Sequence, residues 1–336
     1  MNVIIPVAGL GTRLRPQTWS KPKPLVTVAG KPVLGHVLDS LLQLPLDQVV
    51  FVTGYLGEQI EDYVRTNYTF PATFVEQEEP LGQSHAVLQA RDVVTGPSLI
   101  VFPDMLFEAD LAQVEQVDAD GALFVKEVPD PRRFGVVVVD DGRITRLVEK
   151  PADAVSNLAI VGIYYFRAIE DLFEAIEYQM AHSIQTKGEY FLADAIQHLI
   201  DRGKRFTWLP VSVWEDCGKP EALLDTNRYM LTQLGNHVPD IPGSVIVPPV
   251  VIDPTATIKN SIIGPYASIG ARVTITNSIV TDSIVDEEAQ IETAMLTRSI
   301  VGRHAYVRGN SVRVNVGDSS NVILTGWHEN GANERD

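Results

Sequence analysis

Cysteine occurs once, at Cys217, and that scarcity excludes an intrachain disulfide and a metal site built from thiolates. No apolar run is long enough to span a bilayer, and the N-terminus opens at once on a core-like segment with no secretory leader before it. Residence in the cytoplasm and no membrane partner are therefore expected. Cations are scarce: 27 Lys and Arg against 43 Asp and Glu give a formal net charge of -16. So acidic a chain lacks the broad basic face that a nucleic-acid backbone requires, and nucleic acid is not expected as a partner. With 45% hydrophobic residues the composition is that of an ordinary globular protein. Its 336 residues exceed one hydrophobic core, so two domains are expected.

The few cations that exist are concentrated. Residues 7–28 read V-A-G-L-G-T-R-L-R-P-Q-T-W-S-K-P-K-P-L-V-T-V, directly after the apolar run Asn2–Val7, and no carboxylate precedes Asp39. Gly9 and Gly11 permit a tight turn whose N–H groups can face an anion. Arg13, Arg15, Lys21 and Lys23 add charge to the same stretch. A polyanion pocket in an acidic protein is the simplest account. The dinucleotide fingerprint is excluded, because its third glycine is missing and no acidic residue follows at the ribose-reading distance. The G-x-x-x-x-G-K-[ST] loop is absent as well.

Up to about residue 235, short apolar runs alternate with amphipathic stretches, the pattern of a layered α/β domain. The runs predict strands at Asn2–Val7, Gln48–Thr53, Ala72–Glu76, Ser98–Phe102, Gly121–Glu127, Gly135–Val139, Leu158–Phe166 and Arg205–Leu209. The amphipathic stretches predict helices at Val33–Leu44, Gly57–Tyr68, Ser84–Val93, Asp171–His182, Phe191–Arg202 and Pro220–Leu234. Residues 236–243 read as a linker. Beyond it, aliphatic residues recur every five or six positions at Ile252, Ile258, Ile263, Ile269, Ile275, Val280, Val285, Ile291, Leu296, Val301 and Val307. That spacing fits a hexapeptide solenoid over 244–316, followed by a flexible tail at 317–336. So short a solenoid is expected to need a neighbour.

The string G-x-G-T-R-L-R-P…K-P-K-P-L, with Glu149-Lys150-Pro151, Ser156–Phe166 and Trp214–Pro220, resembles the sugar-1-phosphate nucleotidyltransferases. The similarity covers nearly the whole chain and is closest to the long-form glucose-1-phosphate thymidylyltransferases. It implies a Rossmann-like (GT-A-like) mixed sheet over 1–235 and a C-terminal left-handed parallel β-helix. It also implies nucleotidyl transfer from a nucleoside triphosphate, dTTP ahead of UTP or another triphosphate, to a sugar 1-phosphate, glucose 1-phosphate first, with Mg²⁺ and release of pyrophosphate. Residue by residue, Arg13 would hold the pyrophosphate, Lys23 the α-phosphate, and Lys150 the sugar phosphate. Asp104 and Asp216 would be metal ligands. Ala8, Gly9, Gly11, Thr12, Gln77 and Gly82 would bind the nucleotide, and Gly135, Glu149, Ile160, Tyr164, Glu189 and Trp214 the sugar. Homo-oligomerisation through the solenoid is a further implication.

Several of these residues also make sense on their own chemistry. Joining two phosphates forces anions together, so fixed positive charge is the main requirement. Pro22 and Pro24 stiffen the chain on both sides of Lys23. Asp104 follows the apolar run Ser98–Phe102, placing a carboxylate where open α/β sheets bind ligands, and magnesium takes one or two protein carboxylates. A glutamine amide such as Gln77 presents the donor and acceptor that a pyrimidine edge needs. His85 reads as local packing or a cap interaction, for want of a second histidine at metal spacing. The chain departs from the related L-G-D-N pattern at Pro103 and Met105, which alters the wall beside Asp104. Two other readings remain: acyl transfer in the solenoid with His304 as base, and a non-catalytic subunit that binds sugar nucleotides.

Overall fold

A computed structural model describes residues 1–153, 155–235, 239–312 and 314–324. The chain forms two compact units. The first comprises Met1–Leu10, Pro22–Leu25 and Val33–Glu215, and the second comprises Gly11–Lys21, Val26–Pro32 and Asp216–Asp336.

In the first unit, seven strands lie side by side in the order Arg143–Glu149, Gly135–Asp140, Leu158–Phe166, Ser98–Val101, Asn2–Pro6, Gln48–Thr53 and Ala72–Glu76. Gly121–Glu127 and Phe206–Pro210 complete a nine-stranded mixed sheet. Asn2–Pro6 pairs in parallel with both Gln48–Thr53 and Ser98–Val101, while Leu158–Phe166 runs antiparallel to Ser98–Val101. The central strands are continuous aliphatic runs because both faces are covered: Val3, Ile4, Ile5, Val49, Val50, Leu99 and Ile100 are all fully buried. Helices Ile169–Ala181 and Leu192–Asp201 bury Leu172, Ile176, Leu192 and Ile196 in the core that includes Ile4, Val50 and Ile100. This frame turns the loops after Pro6, Thr53, Glu76 and Val101 out at the carboxyl ends of four parallel strands, where such sheets bind ligands.

The second unit is built on a parallel β-helix. Its strands stack with offsets of seventeen residues (Ile258 on Ile275), sixteen (Ile275 on Ile291, Ile291 on Val307) and fifteen (Val307 on Val322). Three intervals of five or six make one coil, so the aliphatic period of the sequence is the period of the solenoid's corners and faces. Ten of the eleven recurring aliphatics are buried, Ile252 being the half-buried exception. Buried serines join the coils. Ser278 accepts from the N–H of Ala294 at 3.1 Å and donates to the Thr276 carbonyl at 2.7 Å, and Ser261 and Ser283 repeat the pattern. Asn321–Leu324, within the expected tail, pairs with the strand Tyr306–Val312. Residues 325–336 of that tail lie outside the described residues, as do 236–238 of the expected linker.

Helix Pro220–Leu234 groups with the β-helix through Asn227 and Arg228. The Asn227 side-chain oxygen accepts from Ser268 Oγ at 2.7 Å and from the N–H of Ala29 at 2.8 Å, and Arg228 bonds Asp282 at 2.7 Å. On one face of the solenoid Val245, Ile262, Ile279 and Met295 stand in register on successive coils, and all but the half-buried Ile279 are exposed. No helix among the described residues is long and apolar enough to cross a membrane.

Candidate active site

The apolar strand Ser98–Val101 leads into Phe102-Pro103-Asp104, and Asp104 Oδ2 stands 3.0 Å from Lys23 Nζ. Lys23 opens a short turn closed by the N–H of Leu25 on the Pro22 carbonyl. The lysine side chain is mostly covered while the Asp104 side chain is about half open, at 47% exposure. The carboxylate is thus partly accessible to solvent. Met105, next in the chain, is buried. Its sulfur accepts from the Trp214 indole N–H at 3.0 Å, and Trp214 packs on Phe134 with ring centres 4.7 Å apart. Met105 also contributes a wall against Gly162, where an added methyl group would stand 3.2 Å from its Cε.

A second group in the same unit surrounds Glu149. Gly135 pairs with Glu149 across the strands, and a methyl group on Gly135 would stand 2.8 Å from Glu149 Oε2 and 3.3 Å from Ile160 Cδ1. A larger residue at Gly135 would have to displace the glutamate carboxylate. Lys150 Nζ lies 3.3 Å from Glu149 Oε1 and 4.5 Å from the centre of the Phe191 ring. Its backbone is left-handed at φ 44°, an uncommon state for lysine and the kind of outlier that concentrates at functional sites. Ile160 and Tyr164 are buried in the hydrophobic core. Tyr164 is held strongly toward its neutral form, first by burial and then by the charges of Glu149 and Asp104. Glu189 is exposed on a turn bridged to Thr186.

Burial pushes the Glu149 carboxyl above the usual range, Lys150 partly opposes that, and Asp194 adds to it. Asp194, also raised by burial, accepts from Thr186 Oγ1 at 3.0 Å. The folded chain holds these protons more tightly than the unfolded chain does. Their contribution to stability is therefore full at low pH and is lost as pH rises from the ordinary carboxylate range through the raised values. Glu149→Gln should remove that loss and raise Tm at neutral pH.

Gln77 is buried after the strand Ala72–Glu76, its amide nitrogen 3.3 Å from the Gly82 carbonyl and 3.0 Å from His85 Nδ1. His85 Nε2 in turn lies 3.2 Å from the Gln89 amide. The histidine thus orients the glutamine, a role beyond packing that the sequence could have suggested only through their spacing of eight residues. Gly82 has φ +120°, and a methyl group there would stand 2.7 Å from both N and O of Tyr190. The glycine is demanded by that backbone.

The glycine loop is divided between the units after Leu10. Ala8 approaches Gly54, and Gly9 is exposed with open space beside it. In the second unit Gly11 takes φ +62°, and the turn Thr12–Leu14 leaves Thr12 and Arg13 exposed. Asp216 Oδ1 accepts from the N–H of Gly218 at 2.7 Å, and a methyl group on Gly218 would stand 3.3 Å from Arg13 Nη2. Arg13 and Asp216 are therefore gathered around one glycine. Two cations of the loop are engaged otherwise than the sequence suggested. Lys21 is buried in an ion pair with Asp286, and Arg15 stacks on Trp19 at 3.8 Å. Cys217 is buried and unbridged.

Among the described residues no cluster of three or more His, Cys, Asp or Glu could hold a metal ion. A caged cation is not built here, but single carboxylates such as Asp104 and Asp216 suit an ion that takes most of its ligands from phosphate and water.

Residues 2–233 match the family described as Nucleotidyl transferase. The protein named bifunctional protein GlmU of Methanocaldococcus jannaschii is 39% identical over 246 residues, which cover 73% of this chain and 57% of that protein. The chain thus spans little more than half the length of that relative. Glucose-1-phosphate thymidylyltransferase of Streptomyces griseus is 31% identical over 360 aligned positions covering 97% of this chain and all of that protein. Among solved structures, UDP-glucose pyrophosphorylase complexed with UDP-glucose superposes with a TM-score of 0.61 at 22% identity, covering 69% of this chain and 98% of the other.

Proposed function

The chain belongs to the nucleotidyl transferase family, as a sugar-1-phosphate nucleotidyltransferase with a C-terminal β-strand region, and we propose that it joins dTTP to glucose 1-phosphate, releasing pyrophosphate. The observation that carries this reading is the Lys23–Asp104 pair at the carboxyl end of a parallel strand. It sets a fixed cation beside a half-open carboxylate in a chain otherwise short of positive charge. The preference for thymidine and glucose rests on the Streptomyces relative, whose similarity runs through the β-helix.

In this mechanism an oxygen of the sugar phosphate attacks the α-phosphorus in line, and pyrophosphate leaves on the opposite side. No protein nucleophile is needed. Lys23 neutralises the α-phosphate, Arg13 the departing pyrophosphate, and Lys150 the phosphate of the sugar. Glu149 accepts hydroxyl hydrogen bonds from the hexose, and the Gln77 amide reads the base edge. Mg²⁺, bound through Asp104 and Asp216, would supply charge neutralisation at phosphate oxygens. Residues 1–235 would carry the chemistry and 244–316 the assembly. The exposed row Val245, Ile262 and Met295 supports a homo-oligomer, so light scattering should return a multiple of 37.0 kDa. A monomer would refute that part.

The decisive experiment is pyrophosphate release with Mg²⁺ and glucose 1-phosphate across dTTP, UTP, ATP, CTP and GTP. Release confined to dTTP is expected. Release with UTP alone would keep the mechanism and change the product. Silence with every triphosphate and sugar phosphate would favour a non-catalytic subunit that binds sugar nucleotides.

A further inference from the structure

The segment that carries Arg13 is fastened to the last coils of the solenoid, and we propose that Asp286, Asn315 and Asp318 are positioning residues for triphosphate binding. Resting on the reading of the glycine loop given above, this makes the β-helix a working part of the nucleotide site as well as an assembly surface.

The contacts are specific and mostly covered. The buried Gln17 amide donates to Asn315 Oδ1 at 2.8 Å and to the Val316 carbonyl at 3.0 Å. The Ser20 hydroxyl donates to the Asp318 carboxylate, and the Lys21 ammonium pairs with Asp286. Between these, Pro16 lies so close to Gly317 that a methyl group there would stand 2.8 Å from its Cβ. The anchors are themselves fixed: Asp318 Oδ1 accepts from the N–H of Arg303 at 2.8 Å, and Asp286 Oδ1 from that of Glu287 at 2.9 Å. The restraint passes on to the glycine turn. Thr18, buried between Gln17 and Ser20, donates to the Gly11 carbonyl at 2.8 Å, and the same carbonyl accepts from the N–H of Leu14 at 2.9 Å. Arg13 lies within that turn. Of the loop's cations, Lys21 is therefore the one used to hold, leaving Arg13 exposed to bind.

Preorganisation of this kind acts on ligand binding because an untethered loop must be ordered at the moment of capture. Cutting one charged hydrogen bond of the tether should cost about tenfold in kcat/KM for the triphosphate. The sugar-phosphate KM should stay within about twofold, since its residues lie in the other unit.

The test uses the full chain and compares Ser20→Ala, Asn315→Ala and Asp318→Asn with Arg13→Ala, following KM for dTTP, KM for glucose 1-phosphate, kcat and Tm. A selective rise in the dTTP KM, restored in Ser20→Thr where the hydroxyl is kept, is the expected result. Single replacement of Lys21 or Asp286 would strand a buried charge. The paired replacement Lys21→Met with Asp286→Leu probes that contact without doing so, and should show the same selective rise. Should Arg13→Ala disable the enzyme while the tether variants keep native kinetics, or lower Tm with both KM values unmoved, the positioning role is overturned. An unaffected Arg13→Ala would instead overturn the reading of the loop itself.

Discussion

Asp104→Asn should lower pyrophosphate release by about a thousandfold, close to 4 kcal/mol of transition-state stabilisation, while leaving Tm within about 2 °C. The substitution keeps shape and removes one negative charge. The asparagine amide oxygen can still accept from the Lys23 ammonium, which stands 3.0 Å from the native carboxylate, so the loss falls on cation binding more than on folding. The half-open position of the Asp104 side chain means that little desolvation was paid in the native state, which is why stability should hardly respond. A Mg²⁺ titration separates the causes. If Asp104 is a ligand, half-saturation in the variant moves to much higher Mg²⁺. A loss of rate with unchanged Mg²⁺ dependence would assign the residue to orienting Lys23 alone.

The sequence was informative where one physical signal dominates. Gln48–Thr53, Ala72–Glu76, Gly121–Glu127 and Leu158–Phe166 begin and end where their apolar runs do. These strands are buried along most of their length or bounded by turn residues. The solenoid was legible for the same reason, since each aliphatic residue of its period fills the same interior. Short strands such as Met105–Glu108 and Val213–Asp216 were not, because four residues beside a loop carry no period. The helix expected over Ser84–Val93 ends at Leu88 and continues as turns, with Gln89, Ala90 and Arg91 each bonding three residues back. Val93, Val94 and Thr95 are β-branched and precede Gly96 at φ +73°, so the helical pattern in that stretch was helical in spacing only.

Site residues divided along the same line. Arg13, Lys23, Asp104 and Lys150 stood out because charge or motif marks them. Their supports did not: Lys21 finds Asp286 at 265 positions' distance, and His85 bridges two glutamines through ring nitrogens. Partner choice of that sort is a property of the folded arrangement, and composition near either residue says nothing of it.

Gly82→Ala shows how far such hidden constraints reach, and it should be among the most damaging single changes in the first unit. Its backbone at φ +120° and ψ -176° lies in a region that side chains essentially exclude, worth about 1–3 kcal/mol in strain. The added methyl would also meet Tyr190 N and O at 2.7 Å. These are main-chain atoms tied by the Tyr190 N–H to the Leu81 carbonyl and by the Ser84 N–H to the Tyr190 carbonyl, so neither partner can step aside cheaply. Together a loss of about 3 kcal/mol is expected, lowering Tm on the order of 5–10 °C. The damage should be functional too, because the Gly82 carbonyl receives the Gln77 amide and displacing it frees the group proposed to read the base. Calorimetry should record the lower Tm, and discrimination between dTTP and CTP should narrow in the same variant. A native Tm would mean that Tyr190 yields to the methyl group, and the close approach would then not be what fixes glycine at this position.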